Sequence, residues 1–190
     1  MHEMKKILLL LVLLSSSIGL KAGDGKWKVI KNKLYSIEFP SDWVPQPGMP
    51  GNGFEPGKRE VGPYIIYYFA WYTPVKSRED IPKCIGIDIQ TYEKKDGAAI
   101  PLDEAQKLTI RPLNRIEEKM YSSSDELRYT ATQTSKEMDG SFVKYRIFFL
   151  LKKKNNRAYC IRLDLREELY KKNTNLKEVL LHILNSFSIN

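Results

Sequence analysis

Three strand-length segments in the second half of the chain, joined by two tight turns, constrain the fold more than any other feature. Residues 126–137, 142–151 and 158–165 each place apolar side chains at alternate positions and so give each strand one apolar face. An Asp-Gly pair at 139–140 and an Asn-Asn pair at 155–156 separate them and favour hairpin turns. Because hairpins make neighbouring strands antiparallel, the segments predict a three-stranded antiparallel meander.

Further strands are predicted before this meander. Alternation predicts strands over residues 33–39 and 84–90, with Ile85, Ile87 and Ile89 on one face of the second. Residues 64–72 carry apolar or aromatic side chains on both faces. This third segment is therefore interpreted as a central strand that is covered on both sides.

Two helices complete the predicted elements. A short helix follows Pro101, where Leu102, Ala105 and Leu108 recur at helical spacing. A longer helix begins near residue 174, with an apolar stripe formed by Leu176, Val179, Leu180, Ile183 and Leu184. These elements predict an α+β domain with a mostly antiparallel central sheet of about six strands and helices packed on it.

Residues 44–63 differ from the rest of the chain because proline and glycine occupy half of the positions. Proline lacks the N–H that a ladder or a helix needs, so the segment is predicted to be a long irregular loop. Long loops often carry function, and a plain insertion is an equally good interpretation.

The first residues have the pattern of a signal peptide. Lys5 and Lys6 precede an uninterrupted apolar run over residues 7–14, and small residues follow up to Ala22. The run is too short to span a membrane. We expect cleavage after residue 22, a single domain over residues 23–190, and an exported protein that is periplasmic or secreted. The double lysine and the short apolar run are typical of a bacterial envelope protein.

Composition limits the chemistry that the exported domain can perform. The chain has two histidines, and cleavage removes His2, so Ser-His-Asp chemistry would depend on His182. That residue falls off the apolar stripe of the last helix and is expected at the solvent side. We predict no catalytic residues, no cofactor and no metal. The formal net charge of +8 is dispersed along the chain, and export argues against a nucleic-acid partner.

The two cysteines, Cys84 and Cys160, lie in predicted strands. An exported domain meets an oxidising compartment, where an even cysteine count often means pairing. Each thiol lies opposite the more apolar face of its strand, so the two could form a disulfide if the strands are neighbours. The alternative is two separate buried thiols, since free cysteine is often a core residue.

Two motifs near the ends of residues 33–189 resemble the PsbP-like family. Residues 35–43 read Tyr-Ser-Ile-Glu-Phe-Pro-Ser-Asp-Trp, which is similar to the opening strand of that family. Residues 179–187 end in Ile-Leu-Asn-Ser-Phe, which is similar to its terminal helix. The resemblance implies an α/β/α sandwich, a fold shared with a Ran-binding protein of the same superfamily. It also implies a bacterial envelope member that serves as an accessory binding module and not as an enzyme.

Three functions remain open at this stage. The favoured one is a non-catalytic binding module of the cell envelope that engages an unidentified protein partner. A carrier of a small apolar or lipid ligand is the first alternative, and a carboxylate-based hydrolase using pairs such as Glu167-Glu168 is the second. Whichever partner binds, the predicted binding surface consists of Trp43, Phe54, Tyr64 and Trp71.

The signal-peptide interpretation predicts that the native protein begins near Gly23. Mass spectrometry of protein purified from its own cell should show this mature N-terminus. An intact Met1 on the native protein would contradict export through this segment.

Overall fold

Eleven strands and three helices make up the part of the chain that the computed structural model describes, which is residues 27–45, 56–74, 83–110, 115–137 and 139–190. The first six strands are β1 (Trp27–Lys31), β2 (Tyr35–Pro40), β3 (Val44–Pro45), β4 (Gly57–Val61), β5 (Tyr64–Tyr72) and β6 (Gly86–Lys94). The remaining elements are α1 (Leu102–Ile110), β7 (Arg115–Ser122), β8 (Glu126–Lys136), β9 (Phe142–Lys154), β10 (Arg157–Arg166), α2 (Glu167–Lys172), α3 (Thr174–Ser186) and β11 (Ser188–Ile189).

The large sheet has the strand order β3-β5-β6-β10-β9-β8-β7, with β4 paired to β5 beside β3, and every pairing is antiparallel. The predicted meander is confirmed as β8, β9 and β10. Its turns contain Asn155 and Gly140 at positive φ, which asparagine and glycine tolerate best. Strand β7 was not predicted from the sequence. Its pairing with β8 contains register shifts between Ile116 and Glu118 and between Lys119 and Tyr121. Such irregularities break the alternation of apolar and polar residues that would identify a strand.

The mostly antiparallel central sheet is confirmed, but it has eight strands where about six were predicted, and β1, β2 and β11 form a separate three-stranded sheet. A side-chain turn holds β1 and β2 together, since the Asn32 Oδ1 accepts hydrogen bonds from the backbone N–H groups of Leu34 and Tyr35 at 2.8 and 3.1 Å. Strand β11 pairs with the other edge of β2. Both edges of β2 are thus paired within the small sheet, and the strand cannot join the large one.

Part of the predicted loop over residues 44–63 is also a strand. Residues 58–61 contain neither proline nor glycine, and they pair with β5 as the strand β4. The connecting turn is Gly62-Pro63, where Gly62 has a φ of 55°. Residues 46–55 lie outside the described part of the chain. Strand β4 is therefore the outer strand of a hairpin and not an irregular loop.

One hydrophobic core lies between the large sheet, the small sheet and α3. The stripe of α3 contributes Leu176, Leu180, Ile183 and Leu184, all buried as predicted. Alternate residues of β6 and β10 face this core, and fully burying each such side chain stabilises the fold by roughly 1.5–3 kcal/mol. The Asn173 side chain accepts a hydrogen bond from the Leu176 N–H at 3.3 Å and caps the helix.

A second hydrophobic core lies on the opposite face of the large sheet, beneath α1. Ala105 of this helix is fully buried against side chains such as Tyr129, Phe149 and Cys160. Both faces of the sheet are thus covered, in agreement with the predicted α+β class. None of the helices in the described segments is long and apolar enough to cross a membrane.

Strand β5 occupies a different place from the predicted one. It lies beside β6 on one edge and beside β3 and β4 on the other, whereas β10 is central. Its apolar character on both faces still has a structural cause. Phe69 and Trp71 enter the first core, and Ile66 enters the second.

A buried ion pair between β9 and α2 predicts a matched pair of stability effects. Glu167 accepts hydrogen bonds from the Arg146 Nε and Nη2, both at 2.8 Å, and its side chain is 6% exposed. Replacing Glu167→Ala leaves a guanidinium without its carboxylate and should lower the free energy of unfolding by about 3 kcal/mol. Glu168→Ala, on an 85% exposed neighbour, should change it by less than about 0.5 kcal/mol. Urea denaturation of both variants at pH 7 measures the difference, and equal effects would contradict the prediction.

Candidate functional site

Two members of the predicted binding surface are core residues. Trp43 and Trp71 are each 3% exposed, and Phe39 lies between them with ring centroids 6.2 and 4.6 Å away. The Lys28 ammonium lies 4.1 Å from the Trp71 ring centroid and donates to the Trp43 carbonyl at 2.6 Å. Because β5 turns Trp71 toward β2, the prediction that these indoles bind a partner is wrong.

The other two members of the predicted surface have different outcomes. Phe54 lies outside the described residues. Tyr64 is half-buried on the opposite face of β5, and its hydroxyl donates a hydrogen bond of 2.6 Å to Glu104 of α1. Lys94 contacts the same carboxylate at 3.0 Å, and the two contacts hold the pKa of Glu104 below its ordinary value. Tyr64 therefore connects the strand to the helix at the edge of a cleft.

Both cysteines are free thiols, so the predicted disulfide is wrong. Strands β6 and β10 are indeed neighbours, but their register places Cys160 opposite Gln90, six positions along the chain from Cys84. Six residues of extended chain span roughly 20 Å, far beyond the reach of a disulfide. Cys160 lies in the second core, and burial raises the pKa of its thiol to about 12.

His182 lies at the surface, as its position off the apolar stripe predicts. Its Nε2 is 2.9 Å from the Glu38 Oε2, and its ring centroid is 3.9 Å from that of Trp27. These contacts join α3 to β1 and β2. The imidazole stands on the first-core side of the large sheet, whereas the cleft described next opens on the other side.

A cleft of about 440 Å³ opens on the α1 face of the large sheet, where the last turn of α1 ends. Polar side chains of β6 and β10 and the rings of Tyr92 and Phe149 form its floor, and strand β4 forms one rim. The residues that surround it are Arg59, Val61, Tyr64, Ile66, Asp88, Gln90, Tyr92, Leu108, Thr109, Phe149, Cys160 and Arg162.

Three charged residues of two interior strands meet at the floor of the cleft. Arg162 lies opposite Asp88 in the register of β6 and β10, and its Nε donates to both oxygens of Asp164 at 2.8 and 2.9 Å. Burial, together with the repulsion of the Asp164 carboxylate, raises the pKa of Asp88 to about 6, although Arg162 opposes the shift. Burial also raises the pKa of Asp164. The Arg162 guanidinium is thus hydrogen-bonded to the Asp164 carboxylate, and the Asp88 carboxylate lies beside it.

The Asp88 carboxylate has no hydrogen-bond donor among the described residues and forms no ion pair within 4.0 Å there. Its side chain is partly buried at the cleft floor. A carboxylate in such a place normally accepts several hydrogen bonds, because burying an unpartnered charge is costly. Asp88 is therefore the group in the cleft whose interactions are least complete.

Aromatic rings stand around this carboxylate. The Tyr92 hydroxyl donates to the Gln90 Oε1 at 2.5 Å, and burial raises the pKa of the phenol. The Arg162 guanidinium carbon lies 5.9 Å from the Phe149 ring centroid. At the rim, the Arg59 guanidinium carbon lies 5.6 Å from the ring centroid of Tyr68. The cleft thus combines a carboxylate, two guanidinium groups and several ring faces.

The other titratable groups near the cleft have defined states. The Cys160 thiol stays protonated at neutral pH, so it cannot act as a thiolate nucleophile. Asp164 is engaged by Arg162, and Glu167 is engaged by Arg146 far from the cleft. Over the described ranges, no group of three or more histidine, cysteine, aspartate or glutamate side chains is placed to hold a metal ion.

Asp88, Gln90 and Arg162 were not identified from the sequence as site residues. The signal that marks them is present: Asp88 and Gln90 alternate with isoleucines, and Arg162 and Asp164 alternate with Ile161 and Leu163. Alternation alone assigns such residues to a solvent-exposed face. Only the strand order shows that both strands are interior and that their polar faces adjoin.

No protein-family model matches the chain, and no curated protein matches it. Among solved structures, the chain is similar to the Ran-binding protein Mog1p of Saccharomyces cerevisiae at 8% identity and a TM-score of 0.49, over 86% of this chain and 95% of that one. A mutant of protein Mog1 gives 10% identity and a TM-score of 0.48, over 86% and 96%. A protein from Bacteroides thetaiotaomicron gives 12% identity and a TM-score of 0.44, over 82% and 45%. At these identities no residue role passes to this chain, and membership of the PsbP-like family stays a prediction.

The raised pKa of Asp88 predicts that the wild-type residue reduces stability at neutral pH. A carboxyl whose pKa is higher in the folded than in the unfolded state stabilises the fold below about pH 4, and this contribution is lost as the pH rises to about 6. Asp88→Asn keeps the shape without the charge. We expect it to raise the free energy of unfolding by about 1 to 2 kcal/mol at pH 8, with a smaller gain at pH 5.

Denaturant titrations of wild type and Asp88→Asn at the two pH values measure this difference. Asp125→Asn, in an exposed turn where the carboxylate contacts Lys153, is the matched control and should show no such gain. A variant that is less stable than wild type at pH 8 would contradict the assignment of Asp88 as an incompletely satisfied charge.

Proposed function

We propose that the protein is an exported, non-catalytic binding module of the cell envelope that engages a protein partner. Export is supported by the signal-peptide pattern of residues 1–22, which lie outside the described part of the chain. The non-catalytic role is supported by the chemistry of the cleft, whose thiol is protonated and whose Asp164 is held by Arg162. The partner is proposed to dock at the rim of the cleft.

The observation that carries the proposal is the edge strand β4. Within the described ranges this strand pairs only with β5, and its last four residues are exposed. An exposed edge presents unpaired backbone groups that an extended segment of another protein can complete as an additional strand. Arg59 and Val61 of the same strand line the cleft, so a docked segment would also contact its rim.

The hairpin determines which backbone groups are available for docking. A two-residue turn makes its flanking residues, Val61 and Tyr64, a hydrogen-bonded pair. Alternation then directs the backbone groups of Arg59 toward β5 and those of Lys58 and Glu60 outward. A partner strand would therefore pair with the N–H and C=O groups of residues 58 and 60.

The volume of the cleft favours a second candidate function, the binding of a small molecule. A volume of about 440 Å³ lies within the usual range for small-ligand sites. The charged floor does not suit the apolar or lipid ligand predicted from the sequence. A small ligand would instead need a polar group for Asp88 or Arg162 and an apolar part for the rings.

Two substitutions at one position test the docking edge. Lys58→Pro removes the outward N–H without removing a hydrogen bond to β5, whereas Lys58→Ala removes the same side chain and keeps the N–H. In affinity capture from the native envelope, we expect a protein that is retained by wild type and Lys58→Ala and lost with Lys58→Pro. If all three forms retain the same proteins, or all retain none, the β4 edge is not the docking site.

A further inference from the structure

We infer that the cleft binds a cationic group carried on an apolar or aromatic stem, with Asp88 as its counter-ion and the accessible side chains of Val61, Tyr64 and Leu108 as its contact surface. The inference deepens the proposed binding function, because it names the chemistry that the cleft recognises. Either a basic side chain of the docked partner or a free amine supplies this chemistry.

The first argument is the state of the carboxylates around the cleft. Glu104 has both Tyr64 and Lys94 as partners, and Asp164 has the Arg162 Nε. Only Asp88, among the carboxylates that the structure describes at this surface, accepts no hydrogen bond. A ligand with N–H donors and a positive charge would supply the interactions that this carboxylate lacks.

The second argument is the electrostatic balance of the floor. The Arg162 guanidinium is hydrogen-bonded to Asp164 at 2.8 Å and also lies beside Asp88, so one cation faces two carboxylates and the three groups together favour a second cation. Leu108 and Thr109 belong to the last turn of α1, and the C-terminal end of a helix carries a partial negative charge that favours cations. Arg59 is the opposing group, and it lies at the exposed rim beside Tyr68.

The third argument is the lining of the cleft. Val61, Tyr64 and Leu108 line the cleft without being buried, so they provide contact for the stem of the ligand, and the Tyr64 ring can attract a cation. The rings of Tyr92 and Phe149 lie beneath them in the second core, and the Arg162 guanidinium carbon is 5.9 Å from the Phe149 centroid. Burial raises the pKa of the Cys160 thiol, which is therefore neutral at pH 7.

The test uses phenethylammonium as the probe and its neutral analogue 2-phenylethanol as the control, with isotope-labelled protein followed by NMR at pH 7.5. We expect saturable shifts of the backbone signals of Gln90, Thr109 and Arg162. The neutral analogue should bind at least about tenfold more weakly, since it lacks the charge-assisted hydrogen bond. Asp88→Asn should weaken binding of the cation by a similar factor, and Asp125→Asn should leave it unchanged.

Three outcomes would overturn the inference: no shifts at the cleft, equal binding of the two probes, or equal binding by wild type and Asp88→Asn. If Asp88→Asn alters the fold, the comparison of phenethylammonium with 2-phenylethanol on the wild-type protein still tests the inference. None of these outcomes affects the comparison of Lys58→Pro with Lys58→Ala. Docking of a partner at β4 is therefore tested independently of cation binding in the cleft.

Capture from the envelope with Asp88→Asn as bait separates the two sources of the cation. Loss of the protein that wild type retains would show that the partner supplies the basic group. Undiminished capture, together with weakened phenethylammonium binding, would show that a free amine occupies the cleft. Both results support the inferred chemistry.

Discussion

The pairing of β10 along both of its edges is the interaction on which the rest of the structure depends. Residues 157–164 pair with β6 on one side and with β9 on the other, so this part of the strand has no open edge. Its alternate side chains then enter two different cores, with Ile161 and Leu163 on one face and Cys160 on the other. The small sheet and α3 pack on one face of β10 and its neighbours, and helix α1 packs on the other face. This packing holds both layers in place.

The same constraint produces the charged cleft. Residues 88, 162 and 164 occupy strands whose backbone positions are fixed by pairing, so their side chains cannot move to an edge. Helix α1 covers part of that face and ends at Ile110, which leaves the charged end of the face as an open concavity beside the core. Incomplete coverage of a buried sheet thus creates a site without any long loop or catalytic motif. Such sites lower the stability of the fold locally, as functional sites commonly do.

Local patterns predicted the meander, both principal helices and the α+β class, since these depend on alternation, turn residues and helical stripes. The order of the strands was not predictable, because register and neighbours are set by packing between distant segments. Three differences share that cause. The pairing of Cys84 and Cys160, which the sequence left open, does not occur, Trp43 and Trp71 are buried and not at a surface, and β5 lies next to the edge strands and not at the centre. The charged floor was missed for the same reason, as a polar face is assumed to be solvent-exposed until its strand is known to be interior.

The small sheet joins parts of the chain that are far apart in sequence. Ile189 pairs with Tyr35, and the Asn190 backbone N–H donates to the Leu34 carbonyl at 3.3 Å. Contacts of such long range form slowly, since the entropy of closing the intervening loop must be overcome first. During synthesis, β2 must therefore wait for residues 188–190 to emerge, and until then its apolar side chains lack a lasting cover.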